Sequence, residues 1–229
     1  MKKEKLLSII LFTVLGLIAL QIPFTRLLGS NVKFTLFDFL APSMGAFLGT
    51  LPGIISVLTM QVVNLFLHGG KFDAGGIIRL FPTLFAVAYF AKKRPSNFIV
   101  PALCIIAFNL NPIGRSAWQY SMFWLIPIAA HFFPTSPRLR GAGSLFVRSL
   151  GATFTAHAVG GALWVWTFGL SRQIWLSLIP QVILERTAMA VGIMISYVVI
   201  NNLLPYVYPS YSGLQPEGAA KRIRGVYTE

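Results

Sequence analysis

Residues 53–68 read Gly53-Ile54-Ile55-Ser56-Val57-Leu58-Thr59-Met60-Gln61-Val62-Val63-Asn64-Leu65-Phe66-Leu67-His68, a run with no acidic or basic residue other than the terminal histidine. A helix crossing the hydrocarbon of a bilayer takes about 20 mostly apolar residues, with about 17 as the lower end. Water satisfies no backbone group in that medium, so a run of this kind must be a helix, which pairs its N–H and C=O groups internally. Comparable runs lie at 6–22, 34–50, 76–91, 97–111, 117–133, 147–168 and 175–204. Together they predict an all-α fold, a polytopic helical membrane bundle of about eight transmembrane helices. The count falls to six if residues 97–133 form a re-entrant hairpin. There the apolar run from Phe98 to Leu110 is interrupted by Pro101, and Asn111-Pro112-Ile113-Gly114-Arg115 reads as a turn.

Composition agrees with this pattern. Hydrophobic residues make up 55% of 229 positions and charged residues 11%. A soluble domain carries about 25% charged residues, because its surface faces water. The net charge of +13 comes from short clusters between apolar runs, such as Lys92-Lys93-Arg94 and Lys221-Arg222. A nucleic-acid-binding protein would gather them along one soluble face, so no nucleic-acid partner is expected. Basic residues instead mark cytoplasmic loops. With the N-terminus inside, twelve of the 19 lie on the cytoplasmic side, five lie outside, and Arg79 and Arg186 fall within spans. This split predicts both termini in the cytoplasm of a multi-pass protein of the cell (inner) membrane. The apolar run after Met1-Lys2-Lys3-Glu4-Lys5 has no small-residue cleavage site and reads as a retained first span. Residues 1–204 form a single transmembrane domain in this reading, and 205–229 a polar cytoplasmic tail.

Charged residues within spans are costly, about 2.5–3.5 kcal/mol each on insertion scales, and usually face the bundle interior. Asp38, Arg79, Glu185 and Arg186 are the four here, and their formal charges cancel. Structural ion pairing and ligand contact are both open to them, and a guanidinium can hold a carboxylate or phosphate through two prongs. Glu185 and Arg186 are adjacent, about 100° apart around a helix, so each is expected to need its own partner on another helix. Asp38 and Arg79, near the outer ends of their spans, are expected neighbours.

Thr153, His157, Gly160 and Trp164 follow helical spacing and share one face. Small residues on that face let a helix or ligand approach closely. A hydroxyl, an imidazole and an indole on one wall suit a small planar ligand, although a histidine bonded between helices and a tryptophan in the interfacial belt give the same pattern. Asn64 and Gln61 fall on the third span, with His68 near its outer end. The stretch Gly69 to Gly76 is a glycine-bracketed outer loop able to close over a site, and Asn109, Asn111, Arg115, Trp118 and Gln119 surround the next outer turn. The candidate ligand-binding residues are therefore Asp38, Asn64, Arg79, Arg115, Thr153, His157, Trp164, Glu185 and Arg186.

No catalytic signature is present: the chain has no Gly-x-Ser-x-Gly, no His-Glu-x-x-His and no P-loop. Cys104 is its only cysteine and the three histidines lack metal-ligand spacing, so neither a metal nor another cofactor is expected. The expectation is a protein that is not an enzyme.

Two stretches resemble the substrate-binding membrane subunits (S components) of energy-coupling-factor vitamin transporters. In the first, Phe37-Asp38-Phe39-Leu40-Ala41-Pro42 leads into Gly45-Ala46-Phe47-Leu48-Gly49-Thr50-Leu51-Pro52-Gly53. That family has a short second helix ending in a Leu-Gly-Pro-x-x-Gly turn. The second pairs Thr153-Phe154-Thr155-Ala156-His157-x-x-Gly160 with Leu178-Ile179-Pro180-x-x-x-x-Glu185-Arg186. The resemblance covers about half the chain. It implies a small-molecule substrate related to a vitamin, bound near the outer face, and partners in a transmembrane coupling subunit and cytoplasmic ATPases. The family usually has six helices, and the small-residue contact motif of its first helix is reduced here to Gly16 and Ala19. Two alternatives stand beside it: a proton-coupled transporter working alone through Asp38, His157 or Glu185, and a membrane sensor or assembly protein without transport.

Overall fold

The computed structural model describes residues 3–26, 33–69, 73–133 and 141–207. Lys2, the loop residues Gly70, Lys71 and Phe72, the basic Arg138 and Arg140, and the tail from 208 onward, with Lys221, Arg222 and Arg224, lie outside the described residues. Helix α1 (Lys3–Gln21) is followed by two short strands, β1 (Pro23–Arg26) and β2 (Lys33–Thr35). They pair antiparallel, with Thr25 opposite Phe34 and an irregularity between Pro23 and Thr25. The expected helix at 34–50 therefore starts late, as α2 (Phe37–Leu48). Residues 33–35 pair across strands instead, and the Leu36 N–H donates to the Ile22 carbonyl at 3.0 Å.

A single residue, Gly49, joins α2 to α3 (Thr50–Leu67) at φ +90°, the left-handed region that a Cβ disfavours. One turn on, a Cβ on Gly53 would stand 3.0 Å from the Gly45 Cα, so the two helices meet backbone to backbone. Helix α4 (Ala74–Ala91) opens on Asp73, whose carboxylate accepts from the Gly76 N–H at 2.7 Å and satisfies one of the orphan donors of the first turn.

Helix α5 (Ser96–Leu110) is 15 residues long. The expected span at 117–133 is broken into α7 (Trp118–Ser121), a 3-10 turn (Met122–Trp124) and α8 (Leu125–Phe132), after a short α6 (Pro112–Ser116). Pro127 falls in the first turn of α8, where a missing N–H leaves no intrahelical bond unmade. The longest elements are α9 (Ala142–Thr167) and α11 (Ile179–Val207), separated by α10 (Arg172–Ser177). The expected segment at 175–204 is thus split at Leu178, with Pro180 in the first turn of α11. Pro205, expected to begin the tail, lies in the last turn of α11.

Among the described residues three helices are long and apolar enough to cross a membrane, Thr50–Leu67, Ala74–Ala91 and Ile179–Leu204, and α1, α2 and α5 contain shorter apolar stretches. Large apolar side chains stand exposed along them, among them Leu51, Phe66 and Leu67 on α3 and Leu184 on α11. Lipid covers such surfaces at no cost, whereas soluble monomers rarely expose them contiguously. Helix α9 is the hub of the packing, touching α4, α5, α8 and α11. One apolar cluster, with Phe12, Met44, Phe47, Val87 and Phe90, gathers around α2 and α4. A second, with Phe108, Tyr120, Trp124, Phe154 and Trp175, gathers where α5, α7 and α10 meet α9.

Candidate functional site

Between these clusters lies a cavity of about 930 Å³, within the range of small-molecule sites. Thr153, His157, Gly160 and Trp164 line it from α9, as their helical spacing predicts. Asp38 reaches it from α2, Asn64 from α3, Arg79 from α4, and Glu185 and Arg186 from α11. Pro23, Phe34 and Thr35 of the hairpin form a further part of its wall. Arg115 does not line it: this residue is exposed on α6.

Several of these residues have structural duties. The Asp38 carboxylate accepts from the Thr35 N–H at 2.8 Å and ties the hairpin to α2. Asn64 accepts from Gln21 Nε2 at 2.9 Å, linking α3 to α1. Trp164 packs on Phe168 with ring centroids 4.5 Å apart. Around the turn that follows α5 the polar side chains bind the helices together. Asn109 donates to the Ser121 hydroxyl at 3.0 Å, Asn111 donates to the Val165 carbonyl at 3.3 Å, and Trp166 donates to the Ala107 carbonyl at 2.9 Å.

Arg186 is the most deeply placed charge in the wall, at 6% exposure. Its Nη1 donates to the Thr153 hydroxyl at 3.5 Å, its guanidinium lies 4.9 Å from the centroid of the Phe34 ring, and its Nη2 stands 3.7 Å from Glu185 Oε1. The last contact corrects the expectation that Glu185 and Arg186 cannot face one another. Their Cβ atoms diverge, but both side chains are long enough to fold back together. The separation is too great for a hydrogen bond, so the pair is bound by charge alone.

His157 uses both ring nitrogens. Trp124 Nε1 donates to Nδ1 at 3.0 Å, and Nε2 lies 2.8 Å from the Tyr120 hydroxyl. Trp124 can lie this close to α9 because Gly161 has no side chain; a Cβ there would stand 2.5 Å from the indole Cζ2.

Buried polar groups in folded proteins almost always have hydrogen-bond partners, and each exception needs a cause. Among the described residues seven buried side-chain polar atoms have none. Five belong to cavity-lining residues: Gln61 Oε1, Trp175 Nε1, Gln181 Oε1, Glu185 Oε1 and Arg186 Nε. The wall thus holds donors and acceptors in reserve beside aromatic surface. Also among the described residues, no group of three His, Cys, Asp or Glu side chains is placed to hold a metal ion. Sequence reasoning missed Tyr120, Trp175 and Gln181. The four-residue step from Gln181 to Glu185 on α11 is a usable signal for one of them, whereas Tyr120 and Trp175 stand on short helices with no periodicity to read.

No family model and no solved structure matches the chain. An uncharacterized protein of Methanocaldococcus jannaschii, MJ0923, is 23% identical to it over 205 residues, covering 83% of this chain and 69% of that protein.

Proposed function

We propose that this chain is a membrane solute-binding subunit for uptake of a vitamin-like small molecule, working with a partner ATPase module. The observation that carries the reading is the cavity, where five buried polar atoms without hydrogen-bond partners among the described residues belong to side chains that line it. A ligand with both donors and acceptors would satisfy them, and Tyr120, Trp164 and Trp175 offer it aromatic faces. Among the described residues the charged lining is balanced, two carboxylates against two guanidiniums, which favours a ligand of no net charge. The chain has no P-loop, so the energy for uptake would come from a partner's ATP hydrolysis. The likeness to S components supports the same division of labour. In this reading the chain crosses the inner membrane about eight times with both termini in the cytoplasm, and the cavity faces the outer half.

The test is gentle purification followed by mass spectrometry of retained small molecules, with thermal unfolding measured across a vitamin and metabolite panel. A ligand at a hundred times its Kd stabilises the folded state by about 2.7 kcal/mol, which raises the unfolding temperature measurably. A panel in which no compound stabilises the protein, together with a purified chain that retains none, would count against the reading. Transport by the reconstituted chain alone, driven by a proton gradient, would favour a secondary transporter instead.

A further inference from the structure

The Trp124–His157–Tyr120 chain has a direction that follows from its chemistry. An indole N–H only donates, so His157 Nδ1, 3.0 Å from Trp124 Nε1, must accept. A doubly protonated imidazole would set one N–H against another and lose this bond. The neutral ring carries a single proton, and that proton therefore sits on Nε2. The 2.8 Å contact then runs from Nε2–H to the Tyr120 oxygen. The Tyr120 O–H proton remains, and among the described residues it has no other hydrogen-bond partner than His157, whose facing nitrogen is already a donor.

Tyr120 lines the cavity and is 5% exposed. Trp175, with its ring centroid 4.8 Å away, lines the cavity too, and its Nε1–H has no acceptor. Two adjacent rings of one wall thus each keep an unused donor. Resting on the binding function proposed above, we propose that Tyr120 is a ligand-contacting specificity residue locked as a hydrogen-bond donor. His157 and Trp124 are the positioning residues that lock it. The ligand group received at this end is a hydrogen-bond acceptor such as a carbonyl oxygen, and groups that only donate are rejected because they would face donors.

Two measurements on the full-length protein in detergent test this. The first is nitrogen NMR of isotope-labelled histidine near neutral pH in a His68→Gln/His131→Gln background, which leaves His157 as the one histidine in the chain. The expected signature is the Nε2–H tautomer; an Nδ1–H tautomer or an imidazolium would overturn the relay. Trp124→Phe should release the tautomer preference, a change that a merely space-filling role for Trp124 would not produce.

The second compares binding of benzamide, which presents a carbonyl, with that of aniline, a neutral donor of similar size. Wild type should prefer benzamide. The isosteric Tyr120→Phe should weaken benzamide about tenfold, the usual order for one hydrogen bond, and leave aniline unchanged. Equal benzamide affinity in wild type and Tyr120→Phe would overturn the donor role. Failure of both probes to bind wild type, with the Nε2–H signature present, would overturn the cavity as a binding site and the donor role with it. The relay would then be a tie between helices alone. The tautomer reading thus separates failure of the relay from failure of the binding function.

Discussion

Arg186 holds a full charge at 6% exposure, supported by Thr153, the Phe34 ring and a Glu185 carboxylate at 3.7 Å. Removing one member of a buried ion pair strands the other, at a cost of about 3–5 kcal/mol, whereas replacing both is often nearly neutral. Arg186→Met is therefore expected to lower the thermal stability of the purified protein sharply, and Glu185→Gln/Arg186→Met to recover most of the loss. Unfolding curves in one detergent decide this, and a single variant as stable as wild type would contradict it. The importance of these two residues is legible in the sequence, because a charge inside an apolar run must have a reason. Their mutual contact is not, since the direction of the Cβ atoms says little about where a four-carbon or five-atom side chain ends. Arg115 stands outside the cavity, exposed on α6, and a basic residue in a turn is as well placed for solvent as for a ligand.

At the scale of the element, α9 shows how two neighbouring glycines can differ. A Cβ on Gly161 would meet the buried Trp124 ring at 2.5 Å, while one on Gly160 would meet Pro82 Cγ at 3.4 Å. Overpacking of this kind costs about 1–3 kcal/mol, and alanine in a helix regains about 1 kcal/mol over glycine. Gly161→Ala is expected to destabilise the protein and disturb the Trp124–His157 bond, and Gly160→Ala to leave stability near wild type. Parallel thermal unfolding of the two variants, with tryptophan fluorescence as a local readout, checks the contrast; equal behaviour would refute it. The lining face of α9 is legible from helical spacing alone, because one regular element carries it. The hairpin is not: Pro23–Arg26 and Lys33–Thr35 are too short for a period, and their pairing depends on two chain segments meeting. Tyr120 is hidden for the same reason, since its four-residue helix takes its direction from its neighbours.

For the whole molecule, the distribution of basic residues predicts which loops meet which side. Cys104 is the only cysteine, so Cys104→Ser provides a cysteine-free background for labelling in intact cells. Lys93→Cys, between α4 and α5, is expected to resist a membrane-impermeant maleimide until the cells are opened. Gly169→Cys, between α9 and α10, is expected to react from outside. The reverse pattern would invert the topology, and labelling of both from outside would mean an even number of spans between the two sites, against the odd number expected. Any such topology carries the cavity with it, and the balance of charge on that wall then has an electrical meaning. Moving one elementary charge through 100 mV involves about 2.3 kcal/mol. A lining with two carboxylates and two guanidiniums leaves the empty and the loaded site with the same charge whenever the solute has none. Under the uptake function proposed above, the voltage across the bilayer then does no work on the passage of such a solute, and its accumulation against a gradient would need a source of energy other than the membrane potential acting on the solute.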